Sequence, residues 1–225
     1  MTLVDKTQMK IKQLVIDKKY NSEGFLPSEG ELAKMFEVSR ATVREAVTSL
    51  QTRGFLVRMH GKGIKVANNI EDVMTQTMSD MFDKNEVTLD EILEVRRIIE
   101  IPAAGLAAER CSAEDLAAME QQIGIMEKTD ATDILYIIAD QDFHLLLVEA
   151  TKNRTLISLT KAYQPLLYDL IQKSCRFVDS AEKVSHFHRN IFTAIKDHDV
   201  QKAENWMRTH LETTQKIKDA IFPSA

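Results

Sequence analysis

The sequence predicts a mainly α protein in two parts: a small N-terminal head that closes with a β-hairpin, and a larger body made only of helices. Two observations carry this prediction. Apolar residues recur at i, i+3 and i+4 along most of the chain, and the period shifts to that of strands at one place only, residues 55–67. Glycine (7) and proline (4) are scarce among the 225 residues, which leaves few turns and favours helices.

Residues 5–19 carry Met9, Ile11, Leu14 and Val15 among charges, the stripe of an amphipathic helix. Tyr20 to Gly24 break it, and Pro27 ends the break. Ser28 and Glu31 form a capping box that opens a second, short helix with Leu32, Met35 and Phe36 on its apolar face. That helix stops near Glu37 and Val38. Ser39 caps a third helix, with Val43, Ala46, Val47 and Leu50 on one side, and Gly54 suits the left-handed position past its end. Phe55–Met59 and Ile64–Ala67 are the strand-like runs, joined by the basic turn His60-Gly61-Lys62-Gly63. Helix, helix, turn, helix and hairpin is the order of a winged helix-turn-helix.

Residues 68–72 read as a linker, and the boundary between head (1–69) and body (70–225) is expected there. The body's helices are predicted over about 70–83, 88–110, 113–128, 131–151, 154–178, 180–197 and 199–221, with Thr88 and Glu91 as another capping box.

Hydrophobic content of 44% with 28% charged residues is ordinary for a soluble globular chain. Cys111 and Cys175 stand in no metal-ligand spacing, exclude a disulfide framework, and are expected as small buried side chains. No apolar run suits a signal peptide or the roughly 18 residues of a membrane span, so the expected location is the cytoplasm, with no membrane partner. The net charge of −5 is unevenly divided: residues 1–69 hold 12 Lys and Arg against 7 Asp and Glu, and residues 70–225 hold 17 against 27. A basic head on an acidic body points to the head as the part that meets a polyanion.

Within the head, Val38 to Val66 carry six Lys and Arg against one acid, Glu45, a bias that belongs near phosphates. The third helix exposes Arg40, Thr42, Arg44 and Glu45 in its first two turns, where a recognition helix meets base edges. The segments Leu26-Pro27-Ser28-Glu29-x-Glu31-Leu32-Ala33, Val38-Ser39-Arg40-x-Thr42-Val43-Arg44-Glu45-Ala46, Leu50-x-x-x-Gly54-Phe55-Leu56 and Gly61-Lys62-Gly63 resemble the DNA-binding domain of the GntR family over roughly residues 9–67. The resemblance implies that Ser39, Arg40, Thr42 and Arg44 face double-stranded operator DNA. It also implies that the wing tip, His60 and Gly61 with Lys62 beside them, approaches the minor groove. Gly30 departs from the pattern, since many members have Arg between the two acids of the second helix. Two-fold regulators read inverted repeats, so a homodimer is expected.

In the body, Asp140 and His144 stand four apart on a face otherwise made of Ile137, Leu147 and Val148. His188 shares a stripe with Ile191, Phe192 and Ile195, and His210 one with Trp206, Met207, Leu211 and Ile217. His186 points to the opposite, polar side of its helix. Burying an unpaired carboxylate is costly, so Asp140 wants a cation, and Asp and His ligands suit Zn²⁺, Ni²⁺, Mn²⁺ or Fe²⁺. Periodicity alone leaves open a set of hydrogen-bonded core histidines. Glu94-x-Arg96-x-x-Ile99-Glu100, Ala107-Ala108, Asp140-x-x-Phe143-His144 and His188-x-x-Ile191, followed by His210, resemble the FCD ligand domain of FadR-type GntR regulators over about residues 72–218. The resemblance implies that Asp140, His144, His188 and His210 hold a divalent metal. A small carboxylate effector, an organic or sugar acid, would coordinate it with the help of Arg96 or its neighbour Arg97. The expected function is an effector-controlled regulator of transcription, a repressor or an activator. Its alternatives are the same regulator without metal and a metal-dependent enzyme with a DNA-binding head. Against the enzyme, no general base is evident beside the ligands and no paired Glu-x-x-His motif is present.

Overall fold

The computed structural model describes residues 1–67, 70–130, 132–175 and 180–222, and the side chains of residues 70, 175 and 180–185 are not among those described. The chain forms two compact units, Met1–Thr77 and Met78–Ala225.

In the first unit, helices α1 (Leu3–Ile16), α2 (Glu29–Phe36) and α3 (Arg40–Thr52) precede a hairpin of β1 (Leu56–Met59) and β2 (Gly63–Val66). Both expected caps are made. The Ser28 hydroxyl accepts from Glu31 N–H while the Glu31 carboxylate accepts from Ser28 N–H, and Ser39 accepts from Thr42 N–H. Glu37, in the left-handed region at φ 58°, ends α2 and turns the chain into α3. The hairpin pairs Leu56 with Val66 and Met59 with Gly63, and Gly61 and Gly63 at φ 70° and 113° make its turn possible. Ile11, Leu14, Leu32, Val43, Val47, Leu50, Leu56 and Ile64 fill the core. Met9 and Met35, read as core from their spacing, are 59% and 54% exposed, and Ala33 takes the inward position in α2. The first helix starts earlier than predicted because Thr2 and Asp5 form a capping box ahead of it, and stops earlier where Lys18, left-handed at φ 54°, lets Lys19 N–H donate to Leu14 O.

The second unit contains α5 (Leu89–Arg110), α6 (Ala113–Met126), α7 (Ile134–Ala150), α8 (Arg154–Tyr163), α9 (Tyr168–Cys175), α10 (Ser180–Lys196) and α11 (Val200–Ile221); α4 (Ile70–Asp83) crosses the division between units. The single helix predicted over 154–178 is not found. A 3-10 turn, Gln164–Leu167, interrupts it at Pro165, which has no N–H to continue an α-helical ladder. Helix α5 tolerates Pro102 because that position faces solvent. On its other side α5 presents Ala103, Ala104, Ala107 and Ala108, all fully buried, and Gly105. A Cβ at Gly105 would stand 3.1 Å from Val200 Cγ1 of α11, so the small residues set how closely these helices approach. Cys111 is only half-buried. Among the described residues, no helix is long and apolar enough to cross a membrane.

The capping box of α5, in which Thr88 and Glu91 serve each other's backbone N–H, begins the helix that carries the body's buried ion pair. Thr88→Ala should cost about 1 kcal/mol of stability. A urea denaturation midpoint equal to wild type would show that the cap contributes nothing.

Candidate functional site

In the first unit, Ser39, Arg40 and Arg44 are exposed and Thr42 half-buried at the N-terminal end of α3. The Ser39 and Thr42 hydroxyls lie 2.8 Å apart, which ties both to the cap. Arg44 Nε donates to Glu29 Oε2 at 3.3 Å, and Arg58 pairs with Glu29 Oε1 at 2.6 Å while its Nε donates to Gln51. Glu29 thus holds two arginines, one from α3 and one from β1, on one surface. Arg58 was not singled out in the sequence, although its place in a basic wing was the available signal. His60, Gly61 and Lys62 are exposed at the hairpin tip. A Cβ on Gly30 would stand 3.3 Å from Arg40 Nη2, so the missing side chain leaves room for the Arg40 guanidinium to lie over α2.

In the second unit the three histidines meet. The nearest ring nitrogens are Nε2 in each case, 3.1 Å between His144 and His210 and 3.2 Å between His188 and His144. One potential ligand atom from each lies within 4.8 Å of the others, and all three residues are buried. Asp140 joins through His188, its Oδ1 lying 3.3 Å from His188 Nε2. The residues come from α7, α10 and α11, and Phe143 packs edge-on against His188 with ring centroids 4.9 Å apart. His186 is exposed, as its spacing from His188 requires.

Arg96 is not at the surface. It is 2% exposed, and its Nε donates to Glu100 Oε1 at 2.9 Å. Glu100, 1% exposed, also accepts from the Tyr163 hydroxyl at 3.0 Å, and its Oε2 lies 2.7 Å from His144 Nδ1. Arg97 instead donates to Gln215 Oε1 at 2.7 Å. Glu100 carried no role in the sequence reading, yet the signal was present: Leu93, Arg96, Glu100, Ala103 and Ala107 repeat at helical spacing along the inner face of α5. Tyr163 had no comparable signal, because it ends a helix that Pro165 breaks.

Electrostatics follow from this burial. Burial alone would raise the Glu100 pKa, but Arg96 and His144 outweigh it and hold the carboxyl at about 2. For Asp140 burial wins over His144 and Arg96, and its pKa is raised. Burial, with His188, His144 and Arg96 nearby, holds His210 well below the usual imidazole range. His210 is therefore neutral at pH 7.

These facts decide what the cluster can do. An ionised carboxylate 2.7 Å from His144 Nδ1 favours the imidazole proton on that nitrogen, and the tautomer so protonated turns its Nε2 lone pair toward two other Nε2 atoms. One in-plane lone pair cannot serve two donors well. A divalent cation satisfies convergent imidazole lone pairs directly, and three nitrogens with a nearby carboxylate oxygen fit a borderline transition metal better than Mg²⁺ or Ca²⁺.

Comparison with known proteins bears on both units. Residues 3–66 match the model for bacterial regulatory proteins of the gntR family, and residues 91–213 match the FCD domain. The chain is 28% identical to the HTH-type transcriptional regulator LutR of Bacillus subtilis (strain 168), covering 88% of this chain and 92% of that protein. It is 30% identical to the Uxu operon transcriptional regulator of Escherichia coli (strain K12), covering 91% and 82% respectively. Among solved structures, Streptococcus agalactiae GntR superposes with a TM-score of 0.77 at 27% identity, over 95% of this chain and 99% of that one. The relatives are regulators of transcription and not enzymes, and the chain belongs to the GntR family as a DNA-binding transcriptional regulator with an FCD domain.

Proposed function

We propose that this regulator responds to a small carboxylate effector through a divalent metal held by Asp140, His144, His188 and His210. The convergence of three buried Nε2 atoms is the observation that carries the reading. Zn²⁺, Ni²⁺, Mn²⁺ and Fe²⁺ all suit the donor set. Arg96 is the effector's arginine. Its Nε is taken by Glu100, while neither Nη makes a hydrogen bond among the described residues, so the fork remains for a carboxylate. Arg97, engaged with Gln215, is the weaker candidate. Residues 1–69 form the DNA-binding head and residues 70–225 the effector-binding body. Two copies bind an inverted repeat, with Ser39, Arg40, Thr42 and Arg44 toward the major groove and His60, Gly61 and Lys62 at the wing.

Elemental analysis of purified, metal-reconstituted protein tests the centre. His188→Ala should lower metal content and effector affinity together, whereas His186→Ala should change neither. Arg96→Lys keeps a cation for Glu100 but removes the fork, so metal should remain while effector affinity falls. Metal absent from the wild type, with effector binding intact in a thermal-shift screen of organic and sugar acids, would leave a metal-free regulator.

Acid should weaken the centre, because histidines must be neutral to coordinate. His210 adds a folding term even without metal. Its folded pKa lies below the unfolded value of roughly 6.5, so the unfolded chain binds more protons under that pH. The stability conferred by neutral His210 is complete above about pH 6.5 and is lost as pH falls toward the depressed value. Chelator-treated wild type should therefore lose more stability between pH 7 and 5 than His210→Gln. Equal losses would mean that His210 titrates normally.

At the DNA, Arg44→Ala should cost roughly 1–3 kcal/mol at the specific site. Lys62→Ala should weaken all sequences alike and flatten the salt dependence. Fluorescence anisotropy with operator and scrambled duplexes separates the two, and unchanged operator affinity would remove Arg44 from the contact set.

A further inference from the structure

We propose that Glu100 is a positioning residue for the metal centre, fixing the His144 imidazole so that its Nε2 lone pair faces the other histidines. This rests on the metal reading above. Four observations support it. Glu100 comes from α5, which supplies none of the four candidate ligands. Its carboxylate is buried, with Oε2 2.7 Å from His144 Nδ1. Its other oxygen is engaged by Arg96 Nε at 2.9 Å and the Tyr163 hydroxyl at 3.0 Å, which fixes the carboxylate's orientation from two further directions. And His144 is the hinge of the cluster, because its Nε2 is the atom that approaches both His188 and His210.

A carboxylate can only accept, so it selects the His144 tautomer protonated on Nδ1. The proton is then absent from Nε2, where a metal needs the lone pair. The same contact fixes the ring's rotation and raises its basicity as a ligand. Glutamine at position 100 has nearly the same shape but one donor and one acceptor end. If its oxygen stays with Arg96, its NH₂ confronts Nδ1–H and drives the proton to Nε2. If it turns over, its NH₂ confronts the guanidinium.

The test is Zn²⁺ affinity of the full chain by competition with a chromophoric chelator. Glu100→Gln should lower affinity roughly 10- to 100-fold. Tyr163→Phe removes a hydrogen bond to the same carboxylate but leaves His144 its partner, and should stay within about twofold of wild type, on the same scale. Equal affinity of Glu100→Gln and wild type overturns the proposal. So does a Tyr163→Phe loss as large as that of Glu100→Gln, because Glu100 would then act only through general packing. Imidazole ¹⁵N shifts of the metal-free wild type give a readout that packing does not move and that survives misfolding of the variant. His144 protonated on Nδ1 supports the proposal, and His144 protonated on Nε2 overturns it. Wild-type protein that takes up no Zn²⁺ overturns the metal reading itself, and this inference with it. That outcome is separable, because it appears before any substitution is made.

Discussion

Arg96 and Glu100 meet at 2.9 Å inside a core where both are almost wholly dry. An isolated charge in that setting carries a penalty of several kcal/mol, and removing one partner of such a pair typically costs about 3–5 kcal/mol. Two other buried groups of the body, Tyr163 and His144, meet this pair. Tyr163 satisfies its hydroxyl on it, His144 Nδ1 lies 2.7 Å from it, and α5, α7 and α8 meet at a single carboxylate. Asp140 is treated differently. The guanidinium donates to Glu100 through Nε, Asp140 Oδ1 lies 3.3 Å from His188 Nε2, and burial outweighs the nearby His144 and Arg96 to raise the Asp140 pKa. The interior thus contains one carboxylate held ionised beside an arginine and one whose pKa burial raises. A divalent cation among the imidazoles would supply positive charge beside the second.

Much of this could be read from the chain before any coordinates. Capping boxes at Ser28 and Thr88 mark helix starts because the chemistry is local, two side chains serving two backbone groups three residues apart. The inward direction of Asp140, His144, His188 and His210 was legible for a similar reason. Each shares a helical stripe with apolar neighbours, and helical phase is a property of sequence. What was not legible depends on other helices. Whether Arg96 meets solvent or Glu100 is decided by what packs over α5, and whether Met35 is covered is decided by the rest of the first unit. Tyr163 could not be assigned, since its direction depends on where α8 stops. Pro165 gave a local reason to stop it there, and the long periodic pattern on either side hid that reason.

The two units use charge in opposite ways. On the head, arginines stand at the surface and are held loosely by an acid they can leave. Glu29 bridges Arg44 and Arg58 where both are substantially exposed, so the pairs cost little to exchange for another anion. In the body Arg96 and Glu100 are dry and paired with each other. A polyanion can therefore compete for the head's arginines at modest cost, whereas an anion reaching Arg96 must enter a dry interior.

The histidine cluster also has a temporal side. Its members lie at positions 144, 188 and 210, on helices separated by long stretches of chain, so it is a feature of high contact order. While the polypeptide is being made, α7 emerges well before α11. In that interval α5, whose main packing partner is α11, displays an apolar face of Ala103, Ala104, Ala107 and Ala108 that α11 has yet to cover. The nascent body is thus an adhesive intermediate. A chain that stops short of α11 would leave that face of α5 open and the histidine cluster without His210.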